Sequence, residues 1–258
     1  MKRILIATIL VGAVSGSAMA ADMAPRIYTK APPPVVAPLF NWSGFYIGGH
    51  LGAGWSDQSA TSVDPVSDPA AGSLRSGARL LGGGQVGYNW QFAPNWVLGV
   101  EGDITWTDLR ATAFDTNRAG GVVLAGGVNF ANKVDWLATI RGRLGFAVTP
   151  QFLLYGTGGA AWGEVNYNTV DIHAAGPAFP ATFNFNGTRS GWVAGVGGEW
   201  AFTPNWIARV EYLHYDLQGA SASGIPRVGF PGERSTFTYS DLRIDTVRAG
   251  VSYKFNPW

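Results

Sequence analysis

From Trp96 onward the side chains alternate. Trp96, Leu98, Val100, Gly102, Ile104 and Trp106 share one face of the chain, and Val97, Gly99, Glu101, Asp103 and Thr105 share the other. A period of two over this length predicts a β-strand that meets a different solvent on each face. The apolar face begins and ends in Trp. Ten residues separate those two rings; at about 3.3 Å per residue and a tilt near 45° they lie roughly 23 Å apart along a membrane normal, close to the apolar band of a transmembrane barrel. The phrase recurs as FAPNWVLGVE from Phe92 and FTPNWIARVE from Phe202, each a Pro-Asn turn that leads into Trp.

The same alternation predicts eight strands, at about 44–55, 79–91, 96–107, 133–148, 151–165, 188–201, 206–217 and 240–255. Their outward rows include Phe45, Ile47, Leu51 and Trp55 in the first, and Val86, Tyr88 and Trp90 in the second. Val134, Trp136, Ile140 and Leu144 face outward in the fourth, and Trp192, Val196 and Trp200 in the sixth. With Trp96, Trp106 and Trp206, the Trp residues form an aromatic girdle. The Gly-rich middle of the fifth strand leaves its facing open. Three connections are short and carry Pro94, Pro150 and Pro204; four others, at 56–78, 108–132, 166–187 and 218–239, run to roughly twenty residues or more. Tight turns on one side and long loops on the other predict an eight-stranded antiparallel up-and-down barrel with its long loops extracellular. A soluble sandwich gives no reason for that asymmetry.

Composition agrees. Only 14% of the residues are charged, against about a quarter in a soluble domain. The hydrophobic fraction is an ordinary 47%, spread through alternation. The single long apolar run is at the start: Lys2 and Arg3, an apolar stretch over 4–14, then Ala18-Met19-Ala20. This predicts a signal peptide over 1–20, cleaved near Ala20, then a proline-rich periplasmic lead-in over 21–41 and a barrel over 42–258. Export would leave 16 basic and 17 acidic side chains, so no basic excess points to nucleic acid. The chain has no Cys, which excludes disulfides, thiolate catalysis and thiolate metal sites.

The inward rows hold the candidate site. Counted from the periplasmic turns, Glu101 and Asp103 on the third strand fall at the depth of Arg141 and Arg143 on the fourth. Glu211 matches Arg248 on the closing pair, and Glu199 matches Arg209 across the sixth and seventh strands. A buried charge without a partner costs several kcal/mol, so charges paired at one depth suit a lumen filled by side chains. The competing reading is a charged constriction in a narrow passive channel.

Other signals for chemistry are weak. Residues 82–87, GGGQVG, satisfy G-x-G-x-x-G inside a strand with no helix to follow, so they hold no dinucleotide. His50 points inward, His173 falls in a long loop, and His214 faces outward near the extracellular rim. His214 with Ser190 is the one candidate pair for a lipid-modifying enzyme, and a general base must reach its nucleophile within about 3 Å. No metal, cofactor or catalytic residue is assigned. Loop aromatics, among them Phe114, Phe130, Phe179, Phe183, Phe185, Phe230 and Phe237, are numerous for exposed segments; some are expected to extend the hairpins above the membrane and others to form a contact surface for an unidentified surface ligand.

The opening WSGFYIGGHLGAGW, the two PNW turns and the closing VRAGVSYKF together resemble the small outer-membrane β-barrel proteins of Gram-negative bacteria, those named outer-membrane immunogenic or porin-family proteins. The resemblance implies an eight-stranded barrel in the outer membrane, in contact with its lipid and lipopolysaccharide, and supplies no defined activity. It also implies that the closing strand, with Val247, Ala249, Val251, Tyr253 and Phe255 on one face, is read by the barrel-assembly machinery. Here the chain departs from the pattern by continuing Asn256-Pro257-Trp258. The reading is a structural and surface-interaction protein with no enzymatic activity.

Overall fold

The computed structural model describes residues 40–63, 68–173, 181–226 and 234–255. The expected signal peptide and all but the end of the proline-rich lead-in lie outside them, as do Phe179, Phe230 and the last three residues. The described residues contain strands and turns and no helix. The strands are β1 (Gly44–Val63), β2 (Ala70–Arg75), β3 (Arg79–Ala93), β4 (Trp96–Ala119), β5 (Val122–Thr149) and β6 (Phe152–His173). β7 (Ala181–Ala201), β8 (Trp206–Leu217), β9 (Ala220–Pro226), β10 (Arg234–Tyr239) and β11 (Leu242–Lys254) follow.

Eight of these strands form a ring. β1, β3, β4, β5, β6, β7, β8 and β11 each pair antiparallel with the next, and β11 returns to β1 from Tyr46↔Lys254 to Asp57↔Arg243. Every strand the alternation predicts is present, in the expected order, and closure leaves no unpaired edge through the lower wall. The repeated PNW phrase has a local cause. The Asn95 side-chain amide donates to the Ala147 carbonyl at 2.8 Å, and the Asn205 amide donates to the Lys254 carbonyl at 2.9 Å. In each copy the Asn ties its turn to the neighbouring strand, and the following Trp starts the apolar row.

The outward face is apolar between two aromatic rings. Trp90, Trp96, Trp200 and Trp206 stand exposed at the turn end, with Trp96 edge-on to Phe146 and Trp206 edge-on to Tyr253, both at 5.2 Å. Trp55, Trp106 and Trp192 are exposed at the other end, where Trp106 and Trp136 pair directly across β4 and β5. Exposed Val100, Ile140, Val196 and Val210 lie between. Such a band is what hydrocarbon selects, and no soluble surface would carry it.

The structure corrects three sequence expectations. Val134 is fully buried inside the barrel, because Asp135 forms a bulge in β5 that shifts the facing of everything above it. The four long loops are largely strand: β4 and β5 continue to Ala119 and Val122, β6 reaches His173, and β2, β9 and β10 extend the wall. The loop aromatics are largely interior. Phe130 and Phe237 are fully buried, with Phe183 and Phe185 packed against the same cluster, while Phe114 stays exposed. The facing of β6 is also fixed: Leu153, Tyr155, Ala161, Val165 and Tyr167 point inward.

The lumen therefore has three layers. At the turn end Trp42, Val97, Ala147, Leu153, Ala201 and Ile207 form an apolar floor, with Phe40 edge-on to Trp42 at 4.8 Å. Above the middle lies a larger apolar core that includes Leu137, Leu213, Ile244, Phe130, Tyr167 and Tyr239. Burial pushes the Tyr239 phenol up to about 12. Between the two lies the layer of charge.

Candidate functional site

The charged layer is built where five strands bring inward positions to one height. Glu101 and Asp103 come from β4, Arg141 and Arg143 from β5, Glu199 from β7, Arg209 and Glu211 from β8, and Arg248 from β11. Their side chains are at most 2% exposed. Four guanidinium groups meet four carboxylates, so the layer is neutral as a whole.

The neighbour pairs counted from the sequence are in contact. Arg141 reaches Glu101 at 2.5 Å and Asp103 at 3.0 Å, Arg209 reaches Glu199 at 2.7 Å, and Arg248 reaches Glu211 at 2.7 Å. Arg143 is farther from Glu101, at 3.5 Å. Counting along adjacent strands missed the bridges that cross the lumen. Arg141 bonds Glu211 at 2.9 Å, Arg248 bonds Asp103 at 3.0 Å, Arg209 bonds Glu101 at 2.7 Å and Arg143 bonds Glu199 at 2.8 Å. Each carboxylate thus has at least two arginine partners. In an eight-stranded barrel the opposite wall is one side chain away, so an Arg on one strand reaches acids on several.

Neutral residues complete the layer, and sequence reasoning missed them. The Tyr46 hydroxyl donates to Glu101 at 2.6 Å and accepts from Arg143 at 2.9 Å. The Tyr155 hydroxyl donates to Glu211 at 3.0 Å, and its ring lies 3.9 Å from the Arg143 guanidinium carbon. Thr139 donates to Asp103 and accepts from Arg141 Nε. Tyr46 holds an inward position of the first predicted strand, so its facing was available. Room for these groups comes from glycine: a Cβ at Gly99 would stand 2.9 Å from Arg143 Cγ, and one at Gly87 would meet the Tyr46 hydroxyl.

His50 points inward, as its position in β1 predicts, with its ring nitrogens 2.7 Å from Gln85 Oε1 and 2.9 Å from Thr105 Oγ1. Both nitrogens are occupied by lining partners. His214 Nδ1 lies 2.7 Å from Asp245 on the outer wall, and its ring faces Trp192. Its partner on β7 is Ala194, four residues along the strand from Ser190, or about 13 Å. The Ser190 hydroxyl donates to Gln218 instead. The structure does not bring His214 and Ser190 together. His173 ends β6. The glycine-rich run 82–87 lies within β3 and packs against His50 and Tyr46, with no helix after it. Among the described residues no group of three or more His, Asp or Glu is arranged to hold a metal ion.

The closing strand presents Val247, Ala249, Val251 and Phe255 outward, with Tyr253 half-buried beside Trp206.

A family model described as outer membrane protein beta-barrel domain matches residues 6–255. The 31 kDa outer-membrane immunogenic protein of Brucella melitensis is 32% identical over 99% of this chain and 100% of its own length. Among solved structures, the outer membrane protease OmpT of Escherichia coli covers 85% of this chain and 99% of its own at a TM-score of 0.49 and 11% identity. The outer membrane protein OprG of Pseudomonas aeruginosa covers 86% and 100% at a TM-score of 0.47 and 12% identity.

Proposed function

Since this chain belongs to the outer membrane protein β-barrel family and resides in the outer membrane, we propose that it is a structural and surface-interaction protein whose lumen is closed by its own side chains. One observation carries the reading: a charged layer in which every charge has an ion-pair partner lies between two apolar layers, and each layer crosses the whole lumen. An ion on its way through would have to part buried ion pairs, and removing one partner from such a pair costs about 3–5 kcal/mol. The Brucella relative is named an immunogenic protein, which supports a role at the cell surface. The separation of His214 from Ser190 supports a non-enzymatic barrel. The outward row from Val247 to Phe255 is the signal read by the barrel-assembly machinery.

Planar-bilayer recording tests the closed lumen. Purified, folded protein is expected to give no stable stepwise conductance at any moderate voltage. Reproducible unitary steps that survive repurification would replace this reading with a small passive channel.

A further inference from the structure

A barrel wall is convex outside, yet above the extracellular Trp ring this one has a hollow of about 550 Å³. That volume lies within the range of about 300–1,000 Å³ found for ligand sites. Two bulges lie just below it. Register slips between Trp106 and Leu109 on β4 and at Asp135 on β5 mark them, and a bulge bends the strand that carries it.

Strand register sets what faces the hollow. Arg110, Lys133, Asn166 and Asn186 lie side by side across β4, β5, β6 and β7. One pair higher, Thr112, Ala131, Asn168 and Asn184 form a second row. These side chains face outward, since their neighbours Ala111, Asn132 and Tyr167 are buried within.

The chemistry of the hollow is particular. Arg110 is matched by Asp108 at 2.8 Å, and Lys133 by Asp135. The hydrogen bond from Arg110 holds the Asp108 carboxyl below its usual range, so the acid stays ionised beside its cation. With its cations compensated, the hollow is a poor trap for bare phosphate. The Asn166 amide donates to Asp135 and the Asn168 amide to Asn184; the lone pairs and N–H groups these bonds leave over, with the Thr112 hydroxyl, form the mixed set of donors and acceptors that sugar hydroxyls require. The Arg110 row begins four residues beyond Trp106, about 9 Å above the aromatic ring at a 45° tilt, and its side chains lie on the outer face of the wall.

We propose that this hollow binds the saccharide of the glycolipid around the barrel, the hydroxyl-rich core sugars of lipopolysaccharide, through the asparagine rows of β6 and β7. The inference rests on the membrane placement and not on the closed lumen, so either can fail alone.

The folded full chain in phosphatidylglycerol vesicles would be titrated with core-bearing rough lipopolysaccharide. Lipid A lacking core sugars, the delipidated core oligosaccharide and inorganic phosphate serve as competitors. Rough lipopolysaccharide is expected to bind, the oligosaccharide to compete, and Asn168→Ala with Asn184→Ala to weaken binding roughly tenfold, as two lost hydrogen bonds imply. The variant keeps the same boiling-dependent gel shift, since both side chains are exposed. Binding unchanged in the variant, lipid A matching rough lipopolysaccharide, or phosphate competing as well as the sugar would each overturn the proposal. Oligosaccharide that binds as tightly free as when lipid-anchored would overturn the membrane source.

Discussion

Replacing Arg141 with alanine is expected to destabilise the barrel by about 3–5 kcal/mol, the usual cost of removing one partner from a buried ion pair. Arg141 touches Glu101, Asp103 and Glu211, acids supplied by two separate strands, and its side chain is fully buried. Its loss leaves the layer with one excess negative charge in a medium that solvates charge poorly. The urea midpoint of the folded protein in vesicles reads the effect. The electrostatic cause has its own signature: adding Glu101→Gln restores neutrality and should recover part of the loss, although each substitution alone destabilises. An unchanged midpoint in Arg141→Ala, or strictly additive losses in the double variant, would mean that the layer is hydrated and its pairs are screened.

Trp42→Ala carries the second large effect, about 3–5 kcal/mol for a large aromatic removed from a packed site. Trp42 precedes β1, is fully buried and fills the floor of the lumen among Val97, Leu153 and Ile207. Its backbone N–H donates to Gln91 Oε1 at 2.9 Å, which fixes the chain as it enters the barrel. Trp42→Phe should recover most of the loss, because it keeps the ring against Phe40. The charged layer above is untouched, so Trp42→Ala should stay non-conducting. Stepwise conductance in this variant alone would mean that the floor, rather than the charges, closes the lumen.

How much of this was legible depended on whether a rule of two held. Between the aromatic rings it held, so the outward faces of Trp96, Val100 and Ile140 and the inward faces of Glu101, Arg141 and Arg248 could be read by counting. It failed at Asp135, where one bulged residue moved Val134 and everything beyond it to the other face. Above that point Gly, Ser and Asn dilute the alternation, so strands were taken for loops, and Phe130 and Phe237 were taken for exposed when they fill the upper core. Pairing failed for a different reason. Counting along neighbouring strands finds Arg209 with Glu199 but cannot reveal Arg209 with Glu101, a contact made across a closed ring. Tyr46 was missed because the count matched charges alone, and a neutral phenol has no sign to be balanced. Only the coordinates show its hydroxyl between an acid and a base.

The chain contains no Cys, so a single introduced thiol reports its own surroundings. Ala161 is fully buried, and its partner across β5 and β6 is Thr139, which hydrogen-bonds Asp103 in the charged layer. Ser59 lies exposed on the upper extension of β1, beyond Trp55. With folded protein in sealed vesicles and a charged maleimide that cannot cross lipid, Ser59→Cys should react quickly and Ala161→Cys should react only after unfolding. Equal labelling rates at the two positions would put water in the lumen and contradict the account.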